Sequence, residues 1–249
     1  MAKVDVSLDE LWDSTPRPTR YFDPKQLDPL PPAARSYLQH AIAPSVPLAY
    51  AVRLHMHGEI KLKRWRPFTA EEVIRWDVGF IWKASVRFGL LPISGSDSWL
   101  RGTGSLHWRL LGLLSFLSAS SPDITRSAAG RLNAEALWLP SALLHQPVSW
   151  IQSDPLHPRA RFLAHSESAA LDLALDPNGR LLAYHTLRWG NPNNGAFRLL
   201  PFGGFAEAES TFAGYTIPTR LSAGWRFGES RFATEGEFFR ATIDHAEFR

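Results

Sequence analysis

The sequence predicts a mainly β, α+β domain: a single curved antiparallel sheet, or half-barrel, wrapped around one central helical segment. Three observations carry that prediction. From about Tyr50 onward the apolar residues recur with period two, interrupted by short turns. A period near 3.6 is sustained at length in one stretch, near residues 122–144. The 249 residues are 45% hydrophobic and include no Cys, so a sizeable core must form without disulfides or thiolate metal sites.

Residues 1–30 read as an arm laid on a single β-rich domain that spans residues 31–249. Ser7 and Glu10 form a capping box ahead of Leu8–Asp13, which predicts a short helix. Pro16, Pro18, Pro24 and Pro29 then hold the chain extended. A second helix starts with Pro31 or Pro32 at its first position, and Tyr37, Leu38, Ala41 and Ile42 share one face. Pro44 and Pro47 end it.

The first strand places Ala51, Arg53, His55 and His57 on one side and Val52, Leu54 and Met56 on the other. Thr69 and Glu72 form a second capping box, which predicts a helical turn from Ala70 to about Arg75. Phe80, Trp82, Ala84, Val86 and Phe88 alternate with Lys83, Ser85 and Arg87, the pattern of a half-buried antiparallel strand. Ser98–Leu110 continues it, with Gly102 and Gly104 permitting a bulge or a close backbone contact.

The central helix opens on Ser121-Pro122-Asp123: a cap, a proline at the first position and an acid near the positive dipole end. Ile124, Ala128, Leu132, Ala136, Leu139 and Leu143 follow at spacings of three and four. Pro140 must break the run, leaving 141–144 as a separate turn. Strands are then expected at Val148–Gln152, Arg159–His165, Ala169–Leu175, Arg180–Trp189, Phe205–Phe212, Ile217–Phe227 and Phe238–Phe248. Asp176-Pro177-Asn178-Gly179 is a hairpin turn between two of them.

The composition narrows the function. A formal net charge of +3 spread along the chain gives no nucleic-acid footprint. The densest basic stretch, 61–66, would set Lys61, Lys63 and Trp65 on one strand side. Such residues can meet phosphate or anionic lipid, which leaves a peripheral membrane contact open, but a solvated strand face is the simpler reading. The N-terminus lacks the apolar core of a signal peptide, and the most apolar stretch, Leu110 to Leu117, is too short to span a bilayer. A soluble, cytoplasmic protein is therefore expected. Gly102-Thr103-Gly104-Ser105 lacks the lysine of a phosphate-binding loop, and Gly95-Ser96-Asp97 lacks the flanks of a nucleophile elbow. His55-x-His57 has strand spacing for a metal but no third ligand follows, so neither metal nor cofactor is expected.

Ten Trp residues are an unusual load. Trp82, Trp99, Trp108, Trp189 and Trp225 lie in strands that carry large groups on both faces, although one sheet on one helix needs a single apolar face. The second face is either covered by the arm and loops or lines a cavity. In the cavity reading Trp82 and Trp99 are walls, Trp138 is a lid, and Glu135, Glu207 and Arg188 supply polar groups. Arg188 lies beside Tyr184 and Thr186, positioned for an anionic headgroup. This favours noncatalytic binding of an apolar or amphipathic ligand, such as a lipid or acyl chain. An enzyme pairing Glu135 with Glu207 or Glu209 as acid and base is the alternative. A structural or interaction protein with an aromatic interface is a third. The polar face is otherwise simply wet, because sequence does not choose the inner face of a two-sided sheet.

Ser118-Ala119-Ser120-Ser121-Pro122-Asp123-Ile124-Thr125-Arg126, followed by Glu135-Ala136-Leu137-Trp138-Leu139-Pro140-Ser141-Ala142-Leu143-Leu144, resembles an uncharacterised bacterial family. That domain-of-unknown-function family has the pattern D-x-S-G-P-E-I-x-R, then E-x-x-W-x-P-x-A-L-L. Trp65-x-Pro67-Phe68-Thr69-Ala70-Glu71, Gly79-Phe80-Ile81-Trp82 and Gly214-Tyr215-Thr216-Ile217-Pro218-Thr219 are similar to it as well, so the likeness covers roughly residues 30–248. Ser121 stands where the family has glycine, and Asp123 where it has glutamate. Many of its members carry an N-terminal membrane segment that this sequence lacks. The resemblance transfers no catalytic residue. It implies a fold similar to the half-barrel lipoprotein carriers, in which an antiparallel sheet curls around helices and leaves an apolar cavity.

Overall fold

The computed structural model describes residues 6–249 apart from 90, 111–113, 146–147, 153, 165–166 and 193–194. Among the described residues thirteen strands form one antiparallel sheet. In chain order they are β1 (Ala51–Leu62), β2 (Arg64–Arg75), β3 (Gly79–Phe88), β4 (Leu91–Leu100), β5 (Thr103–Leu110), β6 (Leu114–Ala119), β7 (Val148–Gln152), β8 (Pro158–Ala164), β9 (Glu167–Leu175), β10 (Leu181–Gly190), β11 (Arg198–Phe212), β12 (Tyr215–Trp225) and β13 (Glu237–Phe248). The helices are α1 (Leu8–Asp13), α2 (Pro32–Ala41), α3 (Pro122–Ala134) and α4 (Ala142–His145).

The topology explains the position of the central helix. β1 to β6 run as one meander to one edge, β7 to β13 as a second from the other edge, and β13 pairs with β1 in the middle. The connection from β6 to β7 must therefore travel from one edge of the sheet to the other. It does so as α3, a 3-10 turn (Glu135–Leu137) and α4, packed across the concave face against β4 and β5 on one wing and β9 and β10 on the other. The sheet curls and does not close.

Most local signals become the elements they predict. Ser7 and Glu10 cap α1 reciprocally, Pro32 opens α2, and Ser121 Oγ accepts from the Ile124 N–H at 3.2 Å to start α3. Asp176 accepts from the backbone N–H groups of Asn178 and Arg180, and Gly179 takes φ +85°, which closes the β9–β10 hairpin. Of the Leu110–Leu117 stretch, residues 111–113 lie outside the described residues, as does His165. Among the described residues no helix is long and apolar enough to cross a membrane.

Three readings are corrected. Thr69 and Glu72 do not cap a helical turn, because both lie inside β2, paired with β1 and with β3. Two flanking strands supply every ladder bond that a short helical turn would forgo, and the even positions Phe68, Glu72 and Ile74 turn into the core. Lys61, Lys63 and Trp65 do not share one strand, since Lys63 takes φ +63° as the turn between β1 and β2. Ser98–Leu110 is likewise two strands, with Arg101 and Gly102 as the turn at φ +48° and +87°.

Both faces of the sheet are partly covered, for different reasons. Outside, Leu8 and Leu11 of α1 pack on Val73 and Ile81, so the arm buries one odd position in each of β2 and β3. Inside, one continuous core runs from Phe22 through Val52, Phe80 and Leu139 to Ala246.

Candidate functional site

The site lies where α3 bridges the two wings. Close approach is permitted by glycine on each side. A Cβ on Gly104 of β5 would fall 2.7 Å from Thr125 Cα, and one on Gly130 of α3 would fall 3.0 Å from Arg188 Cγ. Arg188 of β10 thus lays its stem against the helix and donates from Nε to the Ser127 carbonyl at 3.1 Å. Its guanidinium covers the rings of Phe202 and Trp225 at 4.8 and 5.3 Å.

Arg131, on the opposite side of α3, reaches the β2–β4 wing. Its Nη2 donates to Glu72 Oε1 at 2.7 Å, its Nε donates to Glu135, and its Nη1 lies 3.6 Å from Asp97 Oδ2. The planar group also covers Phe80 and Trp82 at 4.6 and 5.2 Å. Asp97 accepts from the Trp108 indole at 3.0 Å. One guanidinium therefore serves three carboxyl groups, one of which, Glu72, has 0% of its side chain exposed. The second oxygens of Glu72 and Glu135 are buried with no hydrogen-bond partner among the described residues.

The electrostatics follow from burial. Loss of water pushes Glu72 well above the ordinary carboxylate range, and nearby Glu135 pushes the same way while Arg131 opposes. Glu135 and Asp97 are raised by burial too, against the pull of Arg131. Burial alone would lower Arg131, but Glu135, Glu72 and Asp97 outweigh it and raise it. Arg188 is lowered to about 10, first by burial and then by Arg131.

Beside this cluster lies a cavity of about 160 Å³. Its polar lining is Asp97, Arg131, Glu135, Tyr184 and Arg188. Its apolar lining includes Ile60, Leu137, Phe202, Leu221, Phe238 and Phe239. Trp82 stands in the wall with its indole N–H buried and without a partner among the described residues. Trp138 is 6% exposed, lines the cavity and donates its indole N–H to the Pro218 carbonyl at 3.1 Å.

Of the residues expected to bind ligand, Trp82, Glu135, Trp138 and Arg188 meet around this one cavity. Trp99 does not. It is buried in the core opposite Phe80, with its ring against Gly79, where a Cβ would approach within 3.0 Å. Glu207 does not either: it is exposed and accepts from Arg220 at 2.9 Å. Glu209 is held by His40 of α2 at 3.0 Å. The acid–base pair of Glu135 with Glu207 or Glu209 is thus not formed, because bulges around Ala208 and pairing with α2 and β12 take both glutamates elsewhere. The carboxyl neighbours of Glu135 are Glu72 and Asp97. His55 and His57 are also apart from the cavity, the first facing His245 at 6.4 Å between centroids, the second bonded to Asp244 at 2.9 Å. Among the described residues no three His, Asp or Glu side chains are grouped to hold a metal ion.

Sequence reading missed Glu72, Asp97 and Arg131. The spacing of Arg131 and Glu135 as an i,i+4 pair was visible. The burial of Glu72 was masked by its local resemblance to a cap.

The geometry has a counterpart in sequence comparison. The model of a family of unknown function, DUF6920, matches residues 28–248. The chain belongs to that family. Solved structures to which this chain is similar in fold include a LolA superfamily protein from Nitrosomonas europaea, 8% identical with a TM-score of 0.46, covering 87% of this chain and 92% of that one. A second is a putative outer membrane lipoprotein-sorting protein domain from Vibrio parahaemolyticus, 9% identical with a TM-score of 0.40, covering 80% and 85%. No curated protein matches the sequence. In this DUF6920 chain the stretch after Glu135 is an anchor. Trp138 bonds to β12, Ser141 Oγ donates to the Ala49 carbonyl at 2.7 Å, and Leu139 and Leu143 fill the core.

Proposed function

We propose that the cavity under α3 binds a small amphipathic molecule whose anionic head meets Arg188 and Trp82 and whose apolar body lies against Phe202, Leu221, Phe238 and Phe239. The observation that carries this reading is Arg188: a cavity-lining guanidinium with no carboxylate ion pair among the described residues, in a cavity whose wall also holds the unpartnered indole N–H of Trp82. A guanidinium without a carboxylate partner and an unsatisfied indole donor lining one low-dielectric pocket favour an anionic ligand that can accept hydrogen bonds.

Volume sets the size of that ligand. An apolar cavity of about 150 Å³ takes one benzene ring, and this one measures about 160 Å³. It therefore holds a head with a short chain or ring. A full-length acyl chain exceeds that volume.

The test is tryptophan fluorescence during titration with hexanoate and with hexanol. Hexanoate is expected to quench saturably through Trp82 and Trp138. Arg188→Ala is expected to weaken hexanoate by about 1.5–3 kcal/mol, the range for a lost charged hydrogen bond, and hexanol much less. Equal losses for the two would remove Arg188 from the head site. Absence of saturable binding for both, and for octanoate and palmitate, would end the binding reading.

A further inference from the structure

We infer that the cavity takes its anionic ligand together with one proton, which the Glu72–Glu135 pair receives, so that ligand and proton enter and leave as one neutral unit. The inference rests on the binding reading above and deepens it by assigning the charge balance of the same site.

The geometry supplies the acceptor. Glu72 and Glu135 each give one oxygen to the same guanidinium of Arg131, through Nη2 and Nε. Each keeps its other oxygen buried and unpartnered among the described residues. Two carboxyl groups drawn to one guanidinium, with bare oxygens out of water, hold a proton between them more cheaply than two full charges.

Counting the groups that face the cluster fixes the stoichiometry. β2 contributes Glu72, β4 Asp97, α3 Arg131, the 3-10 turn Glu135, and β10 Tyr184 and Arg188. Cavity residues from β1, β3, β11, β12 and β13 carry no charge. Three carboxylates against two guanidinium groups give −1, and one proton on the glutamate pair brings the empty site to zero. An anion on Arg188 returns it to −1. Aromatic and aliphatic walls give no solvent to spread that charge, so a second proton from bulk water goes to the remaining bare oxygen. The ligand stays a carboxylate on Arg188, and no covalent bond other than the O–H is made. The upward displacement of both glutamates by burial agrees with this assignment.

Calorimetry on the full chain with hexanoate tests it, between about pH 6 and pH 8, in paired buffers of different ionisation enthalpy. The expected result is uptake of about one proton per hexanoate and an apparent affinity that falls up to about tenfold per pH unit. Hexanol should bind without uptake. The double substitution Glu72→Gln with Glu135→Gln should abolish uptake and leave hexanoate affinity flat with pH. Saturable hexanoate binding with no proton uptake would overturn the inference and leave the binding reading standing. Uptake that persists in the double variant would overturn it too, because the proton would then sit on Asp97 or on the ligand. Should that variant not fold, the wild-type contrast between hexanoate and hexanol decides alone. No binding of either probe would remove both readings.

Discussion

The ion cluster around Arg131 and the ion pair of Arg220 with Glu207 are built from the same residue types and do opposite things. Arg220 and Glu207 meet at 2.9 Å on the surface, with side chains 60% and 50% exposed. Water already satisfies each, so their pairing adds little and fixes little. Arg131 and Glu72 meet at 2.7 Å, with side chains 19% and 0% exposed. There every partner is compulsory, because a carboxylate or guanidinium stranded in the interior costs several kcal/mol. The difference teaches that an ion pair is informative about function where burial makes it expensive. Stability alone does not account for three acids on one guanidinium. The same volume filled by apolar residues would be as stable or more so.

The largest effect should come from breaking the inner cluster. Arg131→Met is expected to destabilise by about 3–5 kcal/mol in urea unfolding, because Glu72 and Glu135 lose their common partner. Combining it with Glu72→Gln and Glu135→Gln should recover much of that loss. Failure to recover would place the role of Arg131 in its stacking on Phe80 and Trp82. Trp138→Ala removes both an indole from the wall and its bond to Pro218, and about 3–5 kcal/mol is expected if no neighbour fills the space. An unchanged melting curve would take Trp138 out of the core.

The pH dependence separates the two kinds of site by sign. Glu72, Glu135 and Asp97 are raised in the folded state above ordinary values of 4.5, 4.5 and 3.8, so the native protein binds more protons than the unfolded chain. Their favourable contribution is complete below those values and is lost as pH rises through the folded ones. Exposed Asp154 is lowered instead, by the Leu156 N–H and then by His157, so its contribution is present above 3.8 and lost as pH falls. Unfolding free energy should therefore decline from about pH 5 towards neutrality, and the double glutamine variant should flatten that slope. A slope unaffected by the double substitution would assign it to other groups. The smallest effect is expected outside: Arg220→Ala should change stability by less than about 1 kcal/mol. A larger loss would mean that the outer pair holds the fold as the inner cluster does.

Legibility in the sequence followed the range of the physics. Ser121-Pro122-Asp123 marked the start of α3, and Asp176 to Gly179 marked a hairpin, because caps and turns are satisfied within a few residues. Trp82, Glu135, Trp138 and Arg188 were identified by type and face, and β3, the turn after α3 and β10 bring them to one cavity. Trp99 and Trp82 have the same local pattern and both are buried in the core, yet only Trp82 also lines the cavity. Glu72 shows the limit most clearly. Three residues after Thr69 it reads as half of a capping box, and only the strands on either side make it a buried carboxylate.

The sequence by itself determined a mainly β chain with one long helical connection, because hydrophobic period and turn chemistry act locally. It also determined family membership across most of its length. The tertiary structure decided which strand face is interior. β6 and β7 lie at opposite edges, and the connection between them packs on β4, β5, β9 and β10, which makes the face it crosses interior. Crossing there, α3 sets Arg131 against β2 and β4 and receives Arg188 from β10, three contacts between residues far apart in sequence. No local pattern encodes such a meeting, since its energy exists only once the sheet has curled and water has gone.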